Sequence, residues 1–376
     1  MSAARLFFAI GIGRLASVTS RVFLRKSGQT ISGRIIIRLY PNSIKLLSVE
    51  KIIALVSGTN GKTSTTKSLT QIVSSLGKVA SNTTGSNLNW GVANALMNHS
   101  PYAVLEVDEL HLPNVIAETN PKVVLLLNLT RDQLHRMHEV KRVADRWREA
   151  CTKATDTTFV IDVDDPFLNY ATQLASRVIK VSFGGRRHPD GSVCPSCGKY
   201  LNWNGGVYEC SCGLNNKSAD RTFPDGSAGY RNAVLANVAS EVMGAKPIEI
   251  DEKALERTIT KDIGGSTATI RLTKNPASWT EALRGVDSNN VVLILNARQV
   301  DGLDTSWLWD VSYASLKGKK VVVCGERGLD MAYRLHVEGI ENTLVDTFEE
   351  AMSAFPAGSR VSVLAAYTAF FALASK

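Results

Sequence analysis

The chain has 376 residues, about two to three ordinary domain lengths, and its 44% apolar and 21% charged residues supply several buried cores. Disorder, collagen and a disulfide scaffold are excluded at this step. The net charge of +8 is uneven: residues 1–50 carry eight basic side chains against the single acidic Glu50, which argues for a basic N-terminal arm packing on the next domain and against a nucleic-acid surface spread over the chain.

In chain order, the first signal is the apolar stretch from Arg5 to Arg14. Arg14 interrupts it and no small-x-small cleavage pattern follows cleanly, so it reads as an amphipathic helix, one that touches a membrane surface or one that caps the first domain. No apolar run reaches the ~18–20 residues of a membrane span. Residues 51–57 predict a buried strand, GlyThrAsnGlyLysThrSer follows at 58–64, and helical spacing runs from Thr65 to Leu76, stopping at Gly77. Further strands are expected at Ala103–Val107, Val123–Asn128, Thr158–Asp162 and Val178–Phe183, with helices between them, notably Asp132–Thr152. Strands alternating with helices imply parallel βαβ units, hence a doubly wound α/β domain over residues 51–263.

Residues 184–229 break this pattern with nine glycines, four cysteines and many turn residues, and read as an insertion. Tyr230–Met243 resumes as a helix. Gly264 and Gly265 are expected as a linker to a second, smaller α/β domain over 266–376. Its strands are predicted at Val291–Asn296, Lys320–Cys324 and Arg360–Leu364, and its helices at Asp330–Glu338 and Phe348–Phe355.

Three groups of residues carry chemistry. The first is the strand–loop–helix at 58–64. Small residues let the amides of Gly58, Thr59, Asn60 and Gly61 curl around a phosphate, Lys62 can reach the β- and γ-phosphates, and Thr63, followed by Ser64, sits where a P-loop places a Mg²⁺ ligand. Val56 stands where the usual pattern has its first glycine, so this is a variant loop. The second is LeuGluValAspGlu at 105–109, three carboxylates at a strand's carboxyl end; Glu106 is the preferred Mg²⁺-associated residue. Arg131, Asp132, His135 and His138, after another strand, are candidates for the same crevice. The third is Cys194-x2-Cys197 and Cys210-x-Cys212, separated by 12 residues. Four thiolates on two short knuckles suit a structural, tetrahedral Zn²⁺ that would order a segment too polar for a core of its own. Metal-binding cysteines point to a reducing compartment, with the cytoplasm as the default.

GlyThrAsnGlyLysThrSer, LeuGluValAspGlu, AsnLeuThrArgAspGlnLeu, Asp164-Asp165-Pro166 and TyrArgAsnAlaValLeuAlaAsn at 230–237 together resemble the ATP-binding central domain of the Mur ligases. The four-cysteine insertion, LysAsnProAla at 274–277, AspGlyLeuAspThrSerTrpLeuTrpAspVal at 301–311 and GlyGluArgGlyLeuAspMetAla at 325–332 resemble the MurT-type branch of that family. The resemblance implies a ligase that amidates the α-carboxylate of D-glutamate in the lipid II stem peptide, using ATP and Mg²⁺ and passing through an acyl phosphate. It also implies that Asn232 lies near nucleotide or substrate. A GatD-like glutaminase would be the partner in a heterodimer, with lipid II met at the inner face of the membrane and no nucleic acid bound. An aspartate of the C-terminal domain would complete the partner's Cys–His dyad. Asp301 and Asp304 both match, Ala297 stands where the family commonly has another, and Trp307 or Trp309 would suit an interface anchor. Two rival readings stay open: a Mur-type or folylpolyglutamate-type amino-acid ligase, and a zinc-ribbon nucleic-acid-binding ATPase.

Overall fold

The computed structural model describes Gly11 and residues 29–83, 86–131, 139–184, 186–251 and 258–375. The apolar stretch at 5–14, apart from Gly11, and the candidates Asp132, His135 and His138 lie outside the described residues. Helices α1 (Gln29–Leu39) and α2 (Ser43–Leu47) precede the first strand. They pack on α4 (Asn89–Leu96), where a Cβ at Gly33 would sit 1.9 Å from the Trp90 carbonyl oxygen and the Arg34 guanidinium stacks 4.6 Å from the Trp90 ring centroid. The arm's described part therefore belongs to the first unit.

That unit runs β1 (Ile52–Ser57), α3 (Lys62–Val73), β2 (Val79–Ser81), α4, β3 (Tyr102–Glu106), α5 (Leu112–Thr119), β4 (Val123–Leu126), α6 (Val140–Lys153), β5 (Thr158–Asp162), α7 (Pro166–Thr172) and β6 (Val178–Ser182). The short strands β7 (Asn202–Asn204), β8 (Val207–Glu209) and β9 (Arg221–Thr222) follow, then α8 (Ala228–Met243). Seven strands form one parallel sheet in the order β2-β3-β1-β4-β5-β6-β9. Because β1, β4 and β5 are apolar and buried on both faces, they read as continuous hydrophobic runs, as parallel strands do. Chain order reverses at β1, with β3 on one side and β4 on the other, so the crevice at their carboxyl ends is the topological switch point. Only β7 and β8 of the 184–229 segment stand apart as a hairpin; β9 returns to the edge of the main sheet.

The second unit, which also takes in Arg131 and is otherwise described from residue 258 onward, comprises β10 (Thr258–Ile263), β11 (Ser266–Leu272), α9 (Pro276–Arg284), β12 (Asn290–Ile294), two 3₁₀ turns at Ser306–Asp310 and Ala314–Leu316, and β13 (Lys320–Cys324). It continues with α10 (Gly328–Val337), β14 (Asn342–Leu344), α11 (Phe348–Ser353), β15 (Arg360–Ala365) and α12 (Tyr367–Ser375). Its sheet order is β10-β11-β15-β12-β13-β14, with only β10 antiparallel to its neighbour. Gly264 and Gly265 are not a linker. They form the two-residue turn of the β10–β11 hairpin with φ of 60° and 77°, the left-handed pair such a turn requires, so this unit includes a strand before them. Among the described residues no helix is long and apolar enough to cross a membrane.

Candidate active site

The loop after β1 is built as a cradle. Gly58 (φ 144°) and Gly61 (φ 85°) take conformations that side chains resist. A Cβ at Gly58 would lie 2.9 Å from the Asn128 carbonyl oxygen, and one at Gly61 would lie 2.1 Å from Asn232 Nδ2. Gly61 is also the N-cap of α3, so the positive end of that helix opens onto the loop, with Lys62, Thr63 and Ser64 in its first turn. The loop leans on the segment after β4. Asn60 N donates to Asn128 Oδ1 at 2.9 Å, Asn128 Nδ2 returns a bond to Asn60 O at 3.0 Å, and Thr130 N donates to Thr59 Oγ1 at 3.0 Å.

Lys62 Nζ donates to Gly58 O at 2.6 Å and to Glu109 Oε2 at 3.1 Å. Glu109 is thus the carboxylate that pairs with Lys62, a role that the acidic run at 105–109 did not single out. Glu106 ends β3 and is buried; its main chain is held by Asn82 through two bonds of 2.8 Å, and Asn87 Nδ2 reaches Oε1 at 3.3 Å. Among the described residues its buried Oε2 has no hydrogen-bond partner. A buried carboxylate oxygen without a donor is costly unless a cation or water meets it, so the residues fit Mg²⁺ or its water at Glu106, as the glycine cradle fits a phosphate. Asn82, Asn87 and Asn128 were missed from sequence. Only Asn128 carried a signal, since it lies in the segment after a central strand, as the P-loop lies after β1.

A second group of acids stands at the end of β5. Burial pushes the Asp162 carboxyl up to about 7, against the pull of Arg231, whose Nη1 lies 3.8 Å away on the helix that carries Asn232. Asp164 and Asp165 are both buried; Asp165 caps α7, accepting from Phe167 N and Leu168 N.

The four cysteines come together. Cys194 and Cys212 sulfurs lie 3.6 Å apart, Cys197 and Cys210 sulfurs 3.4 Å apart, and all four fall within 4.8 Å of one another. A tetrahedral zinc with bonds of ~2.3 Å spaces its sulfurs about 3.8 Å apart, so this donor set fits that ion and leaves no position for a substrate. Cys151 and Cys324 are buried single thiols, pushed up by burial.

In the second unit the two candidate aspartates differ. Asp301 is buried and fully engaged: Thr368 N and Oγ1 donate to it at 2.7 Å each, and Arg298 N at 3.1 Å. Asp304 is exposed, and its Oδ1 accepts from Ser306 N at 2.8 Å. Trp307 packs on Trp279, with centroids 5.9 Å apart, whereas Trp309 is 53% exposed.

Residues 56–212 match the family model of the Mur ligase middle domain, and residues 272–370 that of the MurT ligase C-terminal domain. The chain belongs to the MurT-type Mur ligases. It is 27% identical, over 91% of its length and 90% of the relative's, to the Staphylococcus aureus protein named lipid II isoglutaminyl synthase (glutamine-hydrolyzing) subunit MurT. The Streptococcus pneumoniae protein of the same name is 26% identical, with 87% of each chain covered. Among solved structures, MurF ligase from Thermotoga maritima in complex with ADP shares the fold, with a TM-score of 0.60 at 14% identity over 90% of this chain and 81% of that one. The expected MurT-type architecture, a Mur ligase central domain with a four-cysteine insertion and a smaller α/β domain after it, is the one found.

Proposed function

We propose that the chain is an ATP-dependent carbon–nitrogen ligase that amidates the α-carboxylate of D-glutamate in the lipid II stem peptide, with ammonia released by a GatD-like glutaminase subunit. The observation that carries this reading is one crevice at the switch point that combines a glycine-cradled loop, Lys62 and the unpartnered carboxylate oxygen of Glu106. The relatives' printed names supply the substrate and the subunit character. In the reaction a carboxylate oxygen attacks the γ-phosphorus and ADP leaves; ammonia then attacks the acyl carbon, phosphate departs with that oxygen, and the nitrogen loses a proton. This chemistry needs positioning and charge neutralisation above all. The loop amides and Lys62 would hold the triphosphate, Asn232 would close over Gly61, and Thr63 and Glu106 would serve Mg²⁺, which supplies charge neutralisation at the phosphates. The four cysteines would hold one structural zinc. Asp304, which is exposed, would complete a partner's dyad, whereas Asp301 is engaged by Thr368 and Arg298 of its own unit. Incubation with lipid II, Mg-ATP and ammonium, followed by mass spectrometry, should convert the acid to the amide; unchanged lipid II together with intact ATP would overturn the reading.

A further inference from the structure

Granted the nucleotide reading of residues 58–64, we infer that the metal-ordered cysteine ribbon sets the geometry of the ATP loop, with His188 and Asp165 as the positioning residues that join the two. The path is a continuous run of buried polar contacts within the first unit. On the loop side, Leu129 lies between Asn128 and Thr130, the two residues that hold Asn60 and Thr59. The Leu129 amide donates to Asp165 Oδ2 at 2.8 Å. That same oxygen lies 3.3 Å from His188 Nε2, an ion-pair contact without hydrogen-bond geometry, and both side chains are buried.

On the ribbon side, His188 is held at both ends. Asp190 N donates to its Nδ1 at 3.2 Å, and its carbonyl accepts from Gly191 N, whose own carbonyl accepts from Trp203 Nε1 at 2.6 Å. Trp203 sits in β7 and packs on Tyr208 at 5.1 Å between centroids. A second strut runs parallel. Tyr208 OH donates to Val163 O at 3.1 Å and Asn216 Nδ2 donates to Asp164 Oδ1 at 2.8 Å, from either side of the Cys210–Cys212 knuckle. Among the described residues, the ribbon's own buried hydrophobic cluster is small: Cys194, Leu201, Tyr208 and Leu214. So small a core does not fix these struts, and the metal must supply the order. The ribbon does make apolar contact with α7, through Tyr170 and through Phe167 against the His188 ring, but cover alone does not call for a carboxylate that meets both a histidine and the loop-supporting amide.

The test uses the full chain and Mg-ADP, with zinc content measured beside affinity. His188→Ala should keep one zinc per chain yet weaken Mg-ADP binding about tenfold, roughly the worth of one charge-assisted contact. His188→Gln, which restores a donor toward Asp165, should recover most of that loss. Thr157→Val removes a buried 2.8 Å bond to Pro121 O at the opposite ends of the strands; it should lower the melting temperature and leave affinity unchanged. Unchanged affinity in zinc-loaded His188→Ala, or an equal loss in Thr157→Val, would overturn the link. Should His188→Ala not fold, hydrogen exchange on the unmodified chain decides. Withdrawing zinc should expose the Leu129 amide while the Val104 amide stays protected, and unchanged protection at Leu129 refutes the coupling. Failure of the zinc-loaded parent chain to bind Mg-ADP would instead bring down the nucleotide reading.

Discussion

In the first unit, the carboxyl ends of β1, β3 and β4 meet left-handed glycines, a lysine and a carboxylate oxygen without a hydrogen-bond partner among the described residues. In the second, the ends of β12, β13 and β15 are closed by their own side chains. Asn296 Oδ1 accepts from Glu326 N at 3.1 Å, Asn296 Nδ2 donates to Thr368 Oγ1 at 2.9 Å, and that hydroxyl donates to Asp301. Both are mostly parallel sheets with the same kind of crevice. One leaves a charged oxygen unmet, whereas the other closes the ends of these three strands with its own side chains and leaves only a neutral hydroxyl, Thr273 Oγ1, unmet beside them among the described residues. The difference lies in the loops, which is why topology alone does not reveal which unit handles nucleotide.

The sharpest way to break this contrast is to remove the lysine. Lys62→Ala should lower kcat for ammonia-dependent amidation by about 10²–10³-fold. It also removes the 3.1 Å ion pair from the buried Glu109, so the melting temperature should fall. Adding Glu109→Gln should restore the melting temperature and not the rate, and a variant that regains both would remove Lys62 from catalysis. In the second unit the effect should be on stability. Asp301→Ala strands two backbone amides and a hydroxyl and should cost about 2–4 kcal/mol in denaturant unfolding. A smaller effect comes from pH. Asp162 and His188 both bind protons more tightly in the folded chain: burial raises the first, and for the second the Asp165 carboxylate outweighs burial. The stability each contributes is full below its unfolded pKa and is lost as pH rises through the folded one, so for Asp162 it fades from about pH 4 to about pH 7. Asp162→Asn should flatten that part of the melting-temperature profile, and an unaltered slope counts against the assignment. Smallest of all, Asp304→Asn should leave stability within ~0.5 kcal/mol. It should abolish glutamine-dependent amidation in the glutaminase complex and spare the ammonia-dependent rate; equal loss of both, or of neither, ends its assignment to a partner's dyad.

Much of the fold was legible because parallel strands declare themselves as apolar runs: Thr158–Asp162 and Lys320–Cys324 form at the expected bounds. Val79–Ser81 and Asn342–Leu344 are three residues each and too short to show a period. The α9 helix was missed although Asn275, Pro276 and Ser278 spell a capping box with proline at its first turn. Gly264-Gly265 misled because a linker and a tight hairpin turn share one composition. In the site, the P-loop and the cysteine set were readable from spacing. The struts Asn82, Asn87, Asn128 and His188 were not, since an asparagine or histidine becomes a support only when distant strands bring it to its partner. Asp301 and Asp304 looked alike in sequence and differ by burial, which neighbouring residues alone do not encode.

Activation of a carboxylate by phosphate transfer at the first unit's crevice is the central step of the proposed reaction. Lipid II carrying heavy oxygen in the D-glutamate α-carboxylate, incubated with the zinc-loaded chain, Mg-ATP and ammonium, tests this directly. One labelled oxygen should appear in the phosphate released for each amide formed. Amide formed with only unlabelled phosphate would contradict an acyl phosphate and, with it, the role given to the loop, Lys62 and Glu106.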